Sequence, residues 1–153
     1  AKLGLVVASD EADAQKDQIL LQDLLALLAQ DRVDYTLFWR RLSQAVASQQ
    51  FAPVRDLFLD TAAWGAWLLR YDARLAGVDQ LQAATLMLQT NPKYVLRNYL
   101  GELAIEAAKG KDFSMVANLL TLLEQPFDEH PAFETYAGLP PDWASRIEIS
   151  CSS

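Results

Sequence analysis

Ile19-Leu20-Leu21-Gln22-Asp23-Leu24-Leu25-Ala26-Leu27-Leu28 decides the fold class. Leu20, Leu21, Leu24, Leu25 and Leu28 recur at i, i+1, i+4, i+5 and i+8, the spacing that places side chains on one face of an α-helix and not on one face of a strand. Upstream, Asp10 is a candidate N-cap, and Glu11 and Asp13 put negative charge in the first turn, where the helix dipole favours it. The spacing predicts a helix over about 11–30. Asp34 is placed to cap a second over about 35–49, with Leu37, Phe38, Leu42, Ala45 and Val46 inward.

The same reading continues downstream. Pro53 suits the first turn of a short third helix, where its missing N–H costs nothing. Asp60 or Thr61 caps a fourth, which runs to Ala76, is stopped by Gly77, and shows Trp64, Trp67, Leu68, Tyr71 and Leu75 on one face. Asp79 begins a fifth, ending near Gln89. Asn91-Pro92 reads as an N-cap followed by Pro at the first helical position, which opens a sixth helix to about Lys109 with Val95, Tyr99, Leu100, Leu103 and Ala107 inward. Gly110 ends it. Asp112 caps a seventh to about Gln125, burying Phe113, Val116, Leu119, Leu120 and Leu123.

The fold class is therefore all-α, about seven packed helices. From Pro126 the pattern changes. Pro126, Pro131, Pro140 and Pro141 punctuate a stretch without helical period that still carries Phe127, Phe133, Tyr136, Trp143, Ile147 and Ile149. So apolar a tail is expected to drape over a surface and not to be a solvated linker. Residues 146–150 allow a short edge strand. The predicted organisation is a helical region over 1–125 and an extended, Pro-rich C-terminal tail over 126–153 packed on it.

Composition limits what such a chain does. With 153 residues and 52% hydrophobic content, one ordinary core is expected. The net charge is −7 and the cations are scattered, which argues against a nucleic-acid partner and against an anionic membrane surface. The apolar runs are too short to span a bilayer, and no signal-peptide pattern is present. A single cysteine excludes an internal disulfide framework and suits a reducing, cytoplasmic compartment. The start at Ala1, without Met, suits an excised piece of a longer chain.

Catalytic motifs are missing. The glycines are isolated, so no phosphate-cradling loop is formed. His130 stands alone as a histidine, which leaves a zinc site or a Ser-His-Asp triad without parts. Asp128 and Glu129 beside His130, and Glu102 with Glu106 one turn apart, are better read as a surface loop and a solvated helix face than as acid–base pairs. Arg40, Arg41, Arg70, Arg74 and Arg97 suggest an anion site, but their stems more simply cover apolar surface while the heads find carboxylates or water. Trp64, Trp67 and Tyr71 are core before they are a stacking platform. The expectation is no catalytic, cofactor-binding or metal-binding residue in this chain.

Three stretches resemble a known family in order and spacing. They are Arg32-Val-Asp-Tyr-Thr-Leu-Phe-Trp-Arg-Arg-Leu42; Asn91-Pro-Lys-Tyr-Val-Leu-Arg-Asn-Tyr-Leu100 followed by Ala104-Ile-Glu-Ala-Ala108; and Pro140-Pro-Asp-Trp-Ala144 with the terminal Ser150-Cys-Ser-Ser153. With the start Ala1-Lys-Leu-Gly-Leu5, they are similar to the C-terminal part of the selenoprotein O family of protein adenylyltransferases. Thr85-Leu-Met-Leu-Gln-Thr90 departs from the family's wording.

That resemblance implies an enzyme in its full-length form, a protein-kinase-like nucleotidyltransferase, pseudokinase in appearance. It moves AMP from ATP to Ser, Thr or Tyr hydroxyls of protein substrates, with magnesium on the phosphates. The ATP and metal ligands lie upstream in the family, and none maps onto this chain, which would be an inactive, helical C-terminal fragment supporting the upstream kinase-like catalytic region. Cys151 stands where vertebrate members carry selenocysteine, third from the end. The resemblance implies a redox latch there; an inert terminal thiol is the other reading. A stand-alone helical interaction module without catalysis is the rival for the whole chain.

Overall fold

Three aspartates start three of the helices in this computed structural model, which describes residues 1–5 and 11–146. Asp34 accepts a hydrogen bond from the Leu37 N–H at 2.9 Å, Asp60 from the Ala63 N–H at 2.9 Å, and Asp79 from the N–H groups of Leu81 and Gln82. Each fills orphan donors of a first turn, and such a cap contributes about 1 kcal/mol. The helices are α1 (Glu11–Gln30), α2 (Tyr35–Ser48), α3 (Ala52–Arg55), α4 (Thr61–Leu75), α5 (Gln80–Thr90), α6 (Asn98–Lys109) and α7 (Ser114–Glu124). Two 3-10 helices follow, Pro131–Ala137 and Asp142–Arg146. Among the described residues there is no strand, so the all-α class holds. The Asp10 cap, and all of the 146–150 strand except Arg146, lie outside the described residues, as do Ile147, Ile149 and Cys151.

The chain divides into two compact units, Ala1–Asn91 and Pro92–Ser153. In the first, α2 packs on α5 and α1 on α4. Its core holds Leu20, Leu24, Leu28, Phe38, Trp39, Leu42, Val46, Trp64, Trp67, Tyr71, Leu75 and Met87. The spine of that core is an aromatic column. Phe58 stacks on Trp64 with centroids 4.8 Å apart, Trp64 on Trp67 at 5.3 Å, and Trp67 on Tyr71 at 5.0 Å. Phe38 meets both Phe58 and Trp64 edge-on. The indole N–H of Trp67 donates to the Leu20 carbonyl at 2.9 Å, fixing α4 against α1. The aromatic face of α4 read from its spacing is thus core.

The N-terminal segment is built into this unit. Tyr71 Oη donates to the Leu3 carbonyl at 2.8 Å. Gly4 follows at φ +67°, and a Cβ there would stand 2.8 Å from Met87 Sδ. Both the left-handed backbone and the lack of room exclude a side chain.

In the second unit a smaller cluster of Tyr99, Leu100, Ala104 and Leu119 joins α6 to α7, with Met115, Tyr136 and Ala144 against it. Gly110 follows α6 as its C-cap. Asp112 accepts from the Ser114 N–H at 2.9 Å, which also holds its carboxyl below the usual range.

Three expectations are corrected. On α1, Leu27 is buried and Leu25 is exposed. Leucine stands at 20, 21, 24, 25, 27 and 28, a wider arc than one neighbour covers, so periodicity alone does not centre the buried stripe. Next, α6 starts at Asn98 and not at Pro92, because the Asn91 side chain is occupied elsewhere; Val95 accordingly precedes the helix, and Leu103 is exposed. Finally, α7 buries Leu119 and Leu122, leaving Phe113, Val116, Leu120 and Leu123 outward.

Replacing Trp67 by Ala should cost about 3–5 kcal/mol, the range for a large buried aromatic. The urea midpoint of Trp67→Ala against wild type measures it. Leu59→Ala, whose side chain lies in solvent, should stay within about 0.5 kcal/mol.

Candidate functional site

Asn91-Pro92-Lys93-Tyr94 is where the polar chemistry concentrates. Asn91 is completely buried. Its amide nitrogen donates to the Lys2 carbonyl at 3.1 Å and to Ser43 Oγ at 3.0 Å. Its amide oxygen accepts from Lys2 Nζ at 3.2 Å. Ser43 Oγ in turn donates to the Trp39 carbonyl. The Lys2 ammonium also sits 5.5 Å from the Trp39 ring centroid and 5.8 Å from that of Tyr35, a cation–π arrangement. Arg40 Nη1 donates to the carbonyls of Leu88 and Asn91. One asparagine thereby ties the N-terminal segment, α2 and the end of α5 together. Sequence reading missed this role by treating Asn91 as an N-cap; the only signal for it was the resemblance in the motif itself.

Lys93 and Tyr94 do parallel work in the second unit. The backbone N–H groups of both donate to the Pro126 carbonyl. The Lys93 ammonium, itself buried, is gripped by Glu129 and Glu134. Tyr94 Oη donates to the His130 carbonyl at 3.2 Å, and the two rings meet edge-on. Burial alone would lower the Lys93 ammonium; the hydrogen bonds to Glu129 and Glu134, with the charge of Glu129, outweigh it and hold the group above the ordinary lysine value.

Several further candidates meet partners within their own unit. Arg41 donates to the Pro53 carbonyl, Arg70 pairs with Asp23, and Arg74 forms a bidentate pair with Asp17. The Asp17 hydrogen bonds raise the Arg74 guanidinium further. Glu106 binds Lys109 one turn on. His130 Nε2 lies 3.3 Å from the Gln125 carbonyl. No group of three or more His, Cys, Asp or Glu side chains is arranged to hold a metal among the described residues. Cys151 lies outside them.

The decisive observation is then comparative. The family described as Protein adenylyltransferase SelO matches residues 1–124. This chain belongs to the SelO family. It is similar to proteins named Protein nucleotidyltransferase YdiU, at 63% identity in Albidiferax ferrireducens, 60% in Variovorax paradoxus and 52% in Cupriavidus metallidurans. Each alignment takes in 100% of this chain but only 31%, 30% and 28% of the relative. The chain spans about a third of the length of the curated SelO relatives it matches. The motifs at Arg32–Leu42 and Asn91–Leu100 fall inside the family match, and the clamp made by Asn91 explains physically what one of them is for.

The Lys93 cluster gives a signed pH effect. A folded-state pKa raised above the unfolded value of about 10.4 adds stability that is complete below that pH and is lost as pH rises through the folded value. Lys93→Met should cost below about 2 kcal/mol near neutrality, its carboxylate partners being half-exposed. The gap in thermal midpoint between Lys93→Met and wild type should close progressively above about pH 10.4.

Proposed function

We propose that the whole protein to which this chain belongs is an ATP-dependent protein adenylyltransferase, and that this chain is its non-catalytic, helical C-terminal support. Identity of up to 63% across every residue of the chain to proteins named nucleotidyltransferases carries the reading. In the reaction a substrate Ser, Thr or Tyr hydroxyl attacks the α-phosphorus of ATP, a new P–O bond forms, the bond to the β-phosphate breaks, and pyrophosphate leaves. Magnesium, held together with ATP by residues outside this chain, would supply charge neutralisation at the phosphates. The groups that hold ATP and metal belong to the kinase-like region outside this chain. In favour of a supporting role, Arg40, Arg41, Arg70, Arg74 and Lys93 are engaged with carbonyls or carboxylates of their own unit. Among the described residues no helix is long and apolar enough to cross a membrane. We place the enzyme in the cytoplasm, because a single cysteine in these 153 residues suits a reducing compartment.

Full-length protein incubated with magnesium and ATP should transfer label from the α-phosphate to protein, none from the γ-phosphate, and should stop on chelation. Transfer of γ-label, or of none, overturns the reading.

The redox part concerns Cys151. Oxidation would join its thiol to a cysteine of the catalytic region, two electrons passing to a disulfide oxidant, and thiol exchange would reverse it. In the full-length enzyme, reductant should change adenylylation by wild type and leave Cys151→Ser unaffected. Equal behaviour of the two proteins would make Cys151 a plain terminal thiol.

A further inference from the structure

From the residue before helix α7 to the last but one of the helix, the chain reads Phe113-Ser-Met-Val-Ala-Asn-Leu-Leu-Thr-Leu-Leu123, eleven residues without one charge, and Glu124 closes the helix. Its inward side is accounted for by Met115, Leu119 and Leu122. The outward side is not. Phe113 is 60% exposed, Val116 44%, Leu120 58% and Leu123 36%. Positions 113, 116, 120 and 123 follow the 3-4-3 spacing of a helix seam. A helix in contact with water on one side ordinarily carries charged residues there; one that is apolar on both sides is a buried helix. By contrast the solvent side of α1 shows Glu11, Lys16 and Asp23.

We propose that the Phe113–Val116–Leu120–Leu123 stripe of α7 is the docking surface for an apolar helix or segment of the remainder of the full-length protein. The length of the relatives argues for this occupant, because more than two thirds of each lies beyond the part this chain matches. A second copy of this chain is the poorer fit. Each copy carries a net charge of −7, and the stripe itself offers no charge with which to offset that repulsion. The inference rests on the reading of this chain as part of a longer enzyme, but not on the chemistry that enzyme performs.

The test places a cysteine on the stripe of the full-length protein, in a Cys151→Ser background, and reads maleimide modification at that peptide by mass spectrometry. Leu120→Cys is compared with Lys109→Cys, which stands on the exposed end of α6. Leu120→Cys should react at least about ten-fold more slowly, the gap vanishing in denaturant. Val116→Cys gives the same reading should Leu120→Cys fold poorly. Equal rates in the native protein overturn the proposal. So does protection that disappears on dilution from dimer to monomer, followed by light scattering, since a second copy is then the occupant. AMP transfer measured on the same preparations separates the two ideas: protection without transfer leaves the surface standing and removes the activity, and transfer without protection does the reverse.

Discussion

A primary amide cannot be left unsatisfied in an apolar interior, and the first unit is arranged around meeting that requirement for Asn91. An unmet buried donor or acceptor costs about 1–3 kcal/mol, so its partners Lys2 and Ser43 have to arrive together. The consequences spread outward. Lys2 must reach inward from the N-terminal segment, which forces Leu3 and Gly4 across Tyr71 and Met87. Ser43 must face α5 and not solvent, which sets the rotation of α2 and with it the positions of Phe38, Leu42 and Val46. Arg40 closes the same corner by taking the Leu88 and Asn91 carbonyls. Asn91 acts as a registration pin for packing that is otherwise apolar and non-directional.

Much of this was legible in the residues, and the reasons are local. Asp34, Asp60 and Asp79 cap where they were expected to, since a short acceptor before an apolar period does only a few things well. Gly77 has φ +86° just beyond α4, as a stop requires. What was not legible depends on neighbours distant in sequence. Asn91 followed by Pro92 satisfies every local rule for a helix start, yet the side chain that would cap is drawn to residues 89 and 48 positions away. The centre of the buried stripe on α1 and on α7 was likewise undetermined, because leucines cover too much of each circumference for a period to choose.

The functional part divides in a similar way. Single residues carried only an expectation: one histidine and isolated glycines are too few parts for a triad or a phosphate-cradling loop. Positive conclusions needed the order and spacing of three motifs, information that belongs to a family and not to any one side chain. The structure adds a reason for part of that pattern. In Asn91-Pro-Lys-Tyr94, the asparagine serves the first unit while Lys93 and Tyr94 hold residues 126–134 of the second. A four-residue motif under two separate packing demands has little freedom to vary.

The aromatic column of Phe58, Trp64, Trp67 and Tyr71 has an optical consequence. Two indoles stacked at 5.3 Å with an interplanar angle of 24° are close enough for their electronic transitions to couple. Trp39 shares the same core, while Trp143 lies in the second unit and is partly open to solvent. Near-ultraviolet circular dichroism therefore reports mainly on the first unit, and the red-shifted share of the emission on Trp143. The two units come with distinguishable native chromophores, so the order in which they melt is readable without a label.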